Sequence, residues 1–95
     1  MTGDNMKTPN LYTSSKGCTV EILGRTGLAY REGDKCALVD SEVLVPPAGI
    51  LVYQDTITSW QAPHDQTGIR PADRERIVRN IVETMAAHGV DIQVI

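Results

Sequence analysis

The sequence predicts an α+β fold, an antiparallel meander of five to six strands with one C-terminal amphipathic helix packed on one face. Between residues 18 and 45, short segments alternate apolar with polar side chains and are separated by turns rich in Gly and Asp. From residue 77 to 85, apolar side chains recur every three or four positions instead, as on one side of a helix. Alternation returns after Gly89 and predicts a short terminal strand.

Length and composition predict a single domain with an aliphatic core. The chain has 95 residues, no Phe, three Tyr and one Trp, so Val, Ile, Leu, Met and Ala must fill most of the interior. We expect residues 1–16 to form a flexible N-terminal tail, because they are polar and show no period, although Leu11 and Tyr12 could touch the fold. Residues 17–95 form the predicted α+β domain.

The first strands of the meander are predicted from alternation and from the turns that separate them. Gly24–Gly27, Glu32–Asp34 and Asp40–Ser41 are the predicted turns, and Pro46 ends the last of these strands. The predicted strands are Cys18–Leu23, Leu28–Arg31, Lys35–Val39 and Glu42–Val45.

The second half of the chain carries the strongest pattern. Gly49–Thr56 is apolar on both faces, which is typical of a central strand covered by a helix. Pro71 suits the first position of a helix that we expect to run to about His88, and Gly89 suits its C-terminal cap. Val90–Ile95 is expected to return to the sheet beside a strand of the meander.

The acidic charge is concentrated in the predicted sheet. Residues 32–65 contain six carboxylates and one lysine, a net charge of −5, whereas the whole chain carries −3. Two interpretations stay open: a solvated face, or a surface that attracts a basic protein through complementary charge. An acidic balance argues against direct binding of nucleic acid, since such domains usually present a basic face.

No motif predicts an enzyme, a metal site or a cofactor. His64 and Asp65 are adjacent in the sequence, and adjacent side chains seldom face each other. His88 is expected to cap the last helical turn rather than to take part in catalysis. Both cysteines, Cys18 and Cys36, are predicted to face inward as reduced thiols, with a disulfide between neighbouring strands as the alternative. A thiol–imidazole pair with His64 would need an exposed, activated cysteine, which an inward-facing strand position does not provide.

Targeting signals are equally absent from the pattern. The first ten residues contain no apolar stretch that could serve as a signal peptide, and no run of the chain approaches the length of a membrane span. We therefore expect a cytoplasmic protein with no membrane partner.

Trp60 is the one large aromatic anchor, and two roles stay open for it. At the end of a strand it would seal the open edge between sheet and helix. Alternatively, a partly exposed Trp60 would anchor a protein partner, because tryptophan is enriched in binding hot spots.

One extended pattern supports a family resemblance. It runs through Gly49, Val52, Tyr53, Asp55, Ile57, Trp60, Pro63 and His64, and continues with Ile69, Pro71, Arg74, Ile77 and Ile81. With the short final strand, this arrangement over residues 18–95 resembles the bacterial immunity protein 74 family. These are small α+β proteins encoded beside polymorphic or contact-dependent growth inhibition toxins.

The resemblance implies a non-enzymatic cytoplasmic antitoxin without a cofactor, which binds one cognate toxin domain and blocks it sterically and electrostatically. A basic nuclease is a toxin of the kind that an acidic surface would fit. The candidate contacts are four acids and the loop from Trp60 to Asp65: Asp34, Asp40, Glu42, Asp55, Trp60, His64 and Asp65. The alternative is a small homo-oligomeric domain that pairs copies through Val90–Ile95 or Glu42–Val45, so both a monomer and a homodimer stay open.

Overall fold

The computed structural model describes residues 10–95, which form one curled, six-stranded sheet with a single long helix. The strands lie side by side in chain order. They are β1 (Leu11–Thr13), β2 (Cys18–Ile22), β3 (Gly27–Glu32), β4 (Lys35–Val43), β5 (Ile50–Val52) and β6 (Ile92–Val94). All neighbours are antiparallel except β5 and β6, which are parallel because helix α1 (Pro71–Ala87) connects them. The predicted α+β class is confirmed.

The core lies between the inner face of the sheet and α1. Ile77, Ile81 and Met85 of the helix are fully buried and belong to the same cluster as Val20 and Tyr30 of the sheet. Their four-residue spacing puts them on one side of the helix, as the sequence predicted. Gly89 follows the helix with φ of 80°, a conformation that glycine adopts without strain.

The chain enters the sheet earlier than expected. Residues 11–13, assigned to the tail by their polarity, form β1 and pair with β2 in the register Leu11 with Glu21 and Thr13 with Thr19. The signal is weak because an edge strand buries little, and only Tyr12 of the three packs against the core. Residues 10 and 14–16 of the predicted tail are also described, and Lys16 Nζ lies 2.6 Å from Glu83 Oε1. Residues 1–9 lie outside the described residues.

The predicted turn at Asp40 and Ser41 is wrong, because β4 runs unbroken from Lys35 to Val43. Asp40 is exposed and Ser41 is buried, so the period of two simply continues through them. The edge pairing that we considered for Glu42–Val45 is therefore excluded at Glu42, which pairs with Leu51 inside the sheet. In contrast, β6 does lie at an edge of the sheet.

The strand expected over Gly49–Thr56 is shorter than its apolar pattern suggested. After β5 ends at Val52, residues 54–56 form one turn of 3-10 helix. The Thr56 hydroxyl donates to the Tyr53 carbonyl at 2.7 Å and accepts from the Asp40 amide at 2.9 Å. These bonds hold the turn against β4 where the strand would otherwise have continued.

Candidate functional site

Strand β4 presents opposite characters on its two faces. Ala37, Val39 and Ser41 point into the core and are at most 3% exposed. Leu38, Asp40 and Glu42 alternate with them and are exposed on the outer face, opposite the helix. We call these three residues the outer strip.

The acids of the outer strip border an open groove of about 750 Å³. Asp40 and Glu42 line one side, while Tyr53 and Asp55 from the segment after β5 line the other. The Tyr53 amide donates to the Asp40 carbonyl at 3.0 Å, so the two sides are hydrogen-bonded together. The fold thus brings together three of the acids that the sequence marked, and we call this feature the acidic groove.

Charge in the acidic groove is not neutralised within the described part of the chain. Over residues 10–95, no Lys, Arg or His nitrogen lies within 4.0 Å of the carboxylates of Asp40, Glu42 or Asp55. The Tyr53 hydroxyl donates to Glu42 Oε1 at 2.8 Å, and this bond is the main reason that the pKa of Tyr53 is raised. The charges of Glu42 and Asp40 raise it further, as expected where negative potential is uncompensated.

Asp34 and the loop residues form a second group at the other end of β4. Asp34 precedes β4 and lies six residues from Asp40 along the chain, roughly 20 Å of strand. His64 Nε2 is 3.4 Å from Asp34 Oδ2, a contact that becomes an ion pair when the imidazole is protonated. Asp65 is exposed in the same loop. The structure therefore divides the predicted contact residues between two places on the surface.

Trp60 is a core residue, only 2% exposed. It belongs to the core cluster with Ile57 and Ile69, and the amide of the next residue, Gln61, donates to the Cys36 carbonyl at 2.7 Å. Lys35 Nζ lies 5.4 Å from the centroid of the indole. Of the two roles considered for Trp60, the structure shows the packing role, since so buried a ring has almost no surface to offer a partner.

The helix-facing side carries a polar network that sequence reasoning missed. Arg76 donates to both oxygens of Glu32, at 2.7 and 3.3 Å, and to Asp73 at 2.9 Å. Glu32 also accepts the Tyr30 hydroxyl at 2.6 Å, and Asn80 donates to that hydroxyl at 2.9 Å. The spacing of residues 73, 76 and 80 puts them on one helix side, but nothing in the sequence says which strand that side meets.

This network neutralises its own charges. The pKa of Asp73 is lowered, first by the hydrogen bond from Arg76, and the pKa of Arg76 is raised by its bonds to Glu32 and Asp73. Burial is the main cause that raises the pKa of the Tyr30 hydroxyl far above its usual value. These groups are paired with one another and join α1 to the sheet, so we assign them a structural role.

The two cysteines differ, contrary to the expectation that both face inward. Cys18 is buried, with Sγ 3.5 Å from the Thr84 hydroxyl. Cys36 is half-buried and lies on the outer face, because it alternates in phase with Leu38 rather than with Ala37. Both thiols are free.

His88 caps the end of α1, where its Nε2 lies 3.1 Å from the Thr13 carbonyl oxygen.

Between residues 10 and 95, His, Cys, Asp and Glu side chains nowhere form a group of three that could hold a metal ion. Within the same range, α1 is neither long nor apolar enough to cross a membrane.

The geometry thus defines a small α+β domain whose helix covers one sheet face and whose other face carries acids that have no basic partner among residues 10–95. Compared with known protein families, the chain matches the family described as immunity protein 74 over residues 19–95. It therefore belongs to the immunity protein 74 family, and membership indicates a toxin-neutralising role with a cognate toxin as the partner. Neither a curated protein nor a solved structure matches the chain.

Proposed function

We propose that this protein binds a single cognate bacterial toxin domain and blocks it by steric and electrostatic occlusion, without chemistry of its own. The toxin would belong to a polymorphic or contact-dependent growth inhibition system, and neutralisation would take place in the cytoplasm. Family membership supports the role. The acidic groove is the observation that carries the mechanism.

The acidic groove fits a basic partner for a physical reason. Carboxylates that already have an Arg or Lys partner gain little from a second cation, but Asp40, Glu42 and Asp55 have none among the described residues. A protein that presents Lys or Arg would be attracted at long range and would pair with them on contact. A nuclease, whose surface must attract phosphates, is a toxin of this kind.

The second group of candidate contacts lies farther from the acidic groove. Asp34, His64 and Asp65 lie at the far end of β4, and a toxin footprint of ordinary size, about 800 Å² on each partner, reaches both ends. We propose them as rim contacts. Trp60 supports that end from within the core and does not touch the toxin.

Co-expression with the toxin domain encoded by the neighbouring gene tests the proposal. We expect cells to survive induction of the toxin only when this chain is present, and the two proteins to elute together in size-exclusion chromatography. A toxin domain from an unrelated system serves as the control and should still kill. Absence of both protection and co-elution would show that the proposed function is wrong.

A homo-oligomeric domain is the second candidate, and the position of β6 favours it. The Asp91 carbonyl and the Ile95 amide and carbonyl bond to the β5 side. Ile92 and Val94 therefore direct their backbone groups away from β5, toward the open edge. Light scattering of the isolated protein decides this candidate, since a monomer at all concentrations removes it.

A further inference from the structure

We propose that Leu38 is the apolar anchor of the toxin interface, and that the toxin presents an apolar side chain flanked by Lys or Arg to the outer strip. This inference rests on the proposed function and deepens it by naming the surface and the chemistry of the partner. The proposed anchor is therefore a leucine and not Trp60, the aromatic residue that the sequence suggested for this role.

Leu38 is exposed where a sheet residue could have been covered. Its side chain is 48% exposed on β4, a strand in the interior of the sheet rather than at an edge. Its pairing partner on β3 is Ala29, whose single methyl group is too short to shield it. The helix lies on the opposite face and does not reach it. Leu38 therefore stands as an exposed apolar side chain beside Ala29, which is itself only 1% exposed.

The acids of the outer strip continue directly from this leucine. Asp40 and Glu42 follow it at steps of two residues, so all three side chains share one face, about 7 Å apart from one to the next. One partner surface can contact all of them together. An apolar centre with a charged rim is the usual arrangement of protein interfaces, where the centre supplies most of the affinity.

The exposed Leu11 lacks this setting. Leu11, 43% exposed, lies on β1. The row that joins it to Leu38 runs through Glu21 and Ala29, and Glu21 is already paired with Arg31 at 3.0 Å. Of these two leucines, Leu38 lies next to carboxylates on its own strand that have no basic partner among the described residues.

Charge also argues that the occupant is a different protein rather than a second copy. A two-fold dimer presents the same surface from both subunits, so the acids of one outer strip would face those of the other. Like charges at an interface oppose binding. A partner with Lys or Arg around its apolar residue removes this penalty and adds favourable pairs.

The test compares Leu38→Ser with Leu11→Ser, since the two leucines are almost equally exposed. Affinity for the toxin domain of the neighbouring gene is measured by calorimetry, and thermal unfolding of each free variant is recorded. We expect Leu38→Ser to weaken binding about tenfold or more and Leu11→Ser to weaken it less than about twofold. Leu38→Met should restore most of the affinity, because it keeps the apolar volume.

The outcomes separate this inference from the proposed function. If the unaltered chain does not bind the toxin, the proposed function fails. If the unaltered chain binds and Leu38→Ser binds equally well, or Leu11→Ser is the more damaging change, the inference is overturned. Hydroxyl-radical footprinting of the unaltered complex gives the same answer without a substitution: Leu38 should be protected and Leu11 should not. A dimer in light scattering that Leu38→Ser abolishes would also overturn it.

Discussion

The inner and outer faces of β4 differ in what their side chains do with charge and apolar surface. On the inner face, Ala37 and Val39 are buried, and the carboxylate of nearby Glu32 on β3 is bonded to Arg76 of α1. On the outer face, Leu38 stays exposed and the acids of the acidic groove have no basic partner among the described residues. We propose that stability and binding use separate side chains of a single strand. Changes on the two faces should therefore have separable effects.

The largest effect on stability is expected from the inner side, at Trp60. Trp60→Ala removes a large ring that is 2% exposed and leaves a cavity, which should lower the free energy of unfolding by about 3–5 kcal/mol. Leu38→Ala, on the outer face, should change it by less than about 0.5 kcal/mol. Urea denaturation of both variants measures the contrast. Equal losses of stability would contradict the idea that changes on the two faces have separable effects.

Two glycines with positive φ should differ in how well they tolerate a side chain. Gly49 has φ of 90°, and a Cβ there would overlap the Asp91 carbonyl oxygen, whereas a Cβ at Gly33, with φ of 60°, meets nothing within 4 Å. Gly33→Ala should therefore cost only the backbone penalty, about 1–2 kcal/mol. Gly49→Ala should cost about 1–3 kcal/mol more, because the Asp91 backbone must shift. Thermal unfolding that ranks Gly33→Ala as the worse change would contradict this packing.

A smaller effect is expected from the paired charges. The side chains of Glu32 and Glu21 are equally exposed, at 27%, but Glu32 bonds to Arg76 and Tyr30, while Glu21 bonds to Arg31 alone. Glu32→Gln should lower stability by about 1–2 kcal/mol, a value reduced from that of a buried pair because solvent reaches the network. Glu21→Gln on the outer face should cost less than about 0.5 kcal/mol. Denaturation midpoints at neutral pH check both, and a reversed order would mean that the network does not join α1 to the sheet.

Much of the fold could be predicted because each element has a local signal. The period of the apolar residues identified α1, and Gly89 placed its end within one residue. The turn expected at Asp40 failed because an Asp–Ser pair suits both a turn and an exposed–buried alternation, and only pairing with Thr26 and Tyr53 decides between them. Strand β1 was missed because three residues at an edge bury too little to leave a pattern.

From the sequence, the candidate site could be predicted only as a region rich in acidic residues. The excess of acids between residues 32 and 65 pointed to the region, but the acidic groove requires that residues 53–55 fold back beside β4, which depends on long-range hydrogen bonds. Leu38 could not be singled out, because the pattern of its strand does not reveal which face the helix covers. Trp60 drew attention for its size, although its burial depends on the same tertiary arrangement.

Two double variants with equal net charge test whether the outer strip carries the toxin contact. Asp40→Asn with Glu42→Gln changes the outer strip, and Glu75→Gln with Asp91→Asn removes two exposed acids outside it that have no basic partner among the described residues. Affinity for the toxin domain is measured at about 0.15 and 0.5 M salt, where screening differs. We predict that the first pair weakens binding at least about tenfold at low salt and reduces its salt dependence, while the second stays within about twofold. Equal effects of the two pairs, or no effect of the first, would contradict the account.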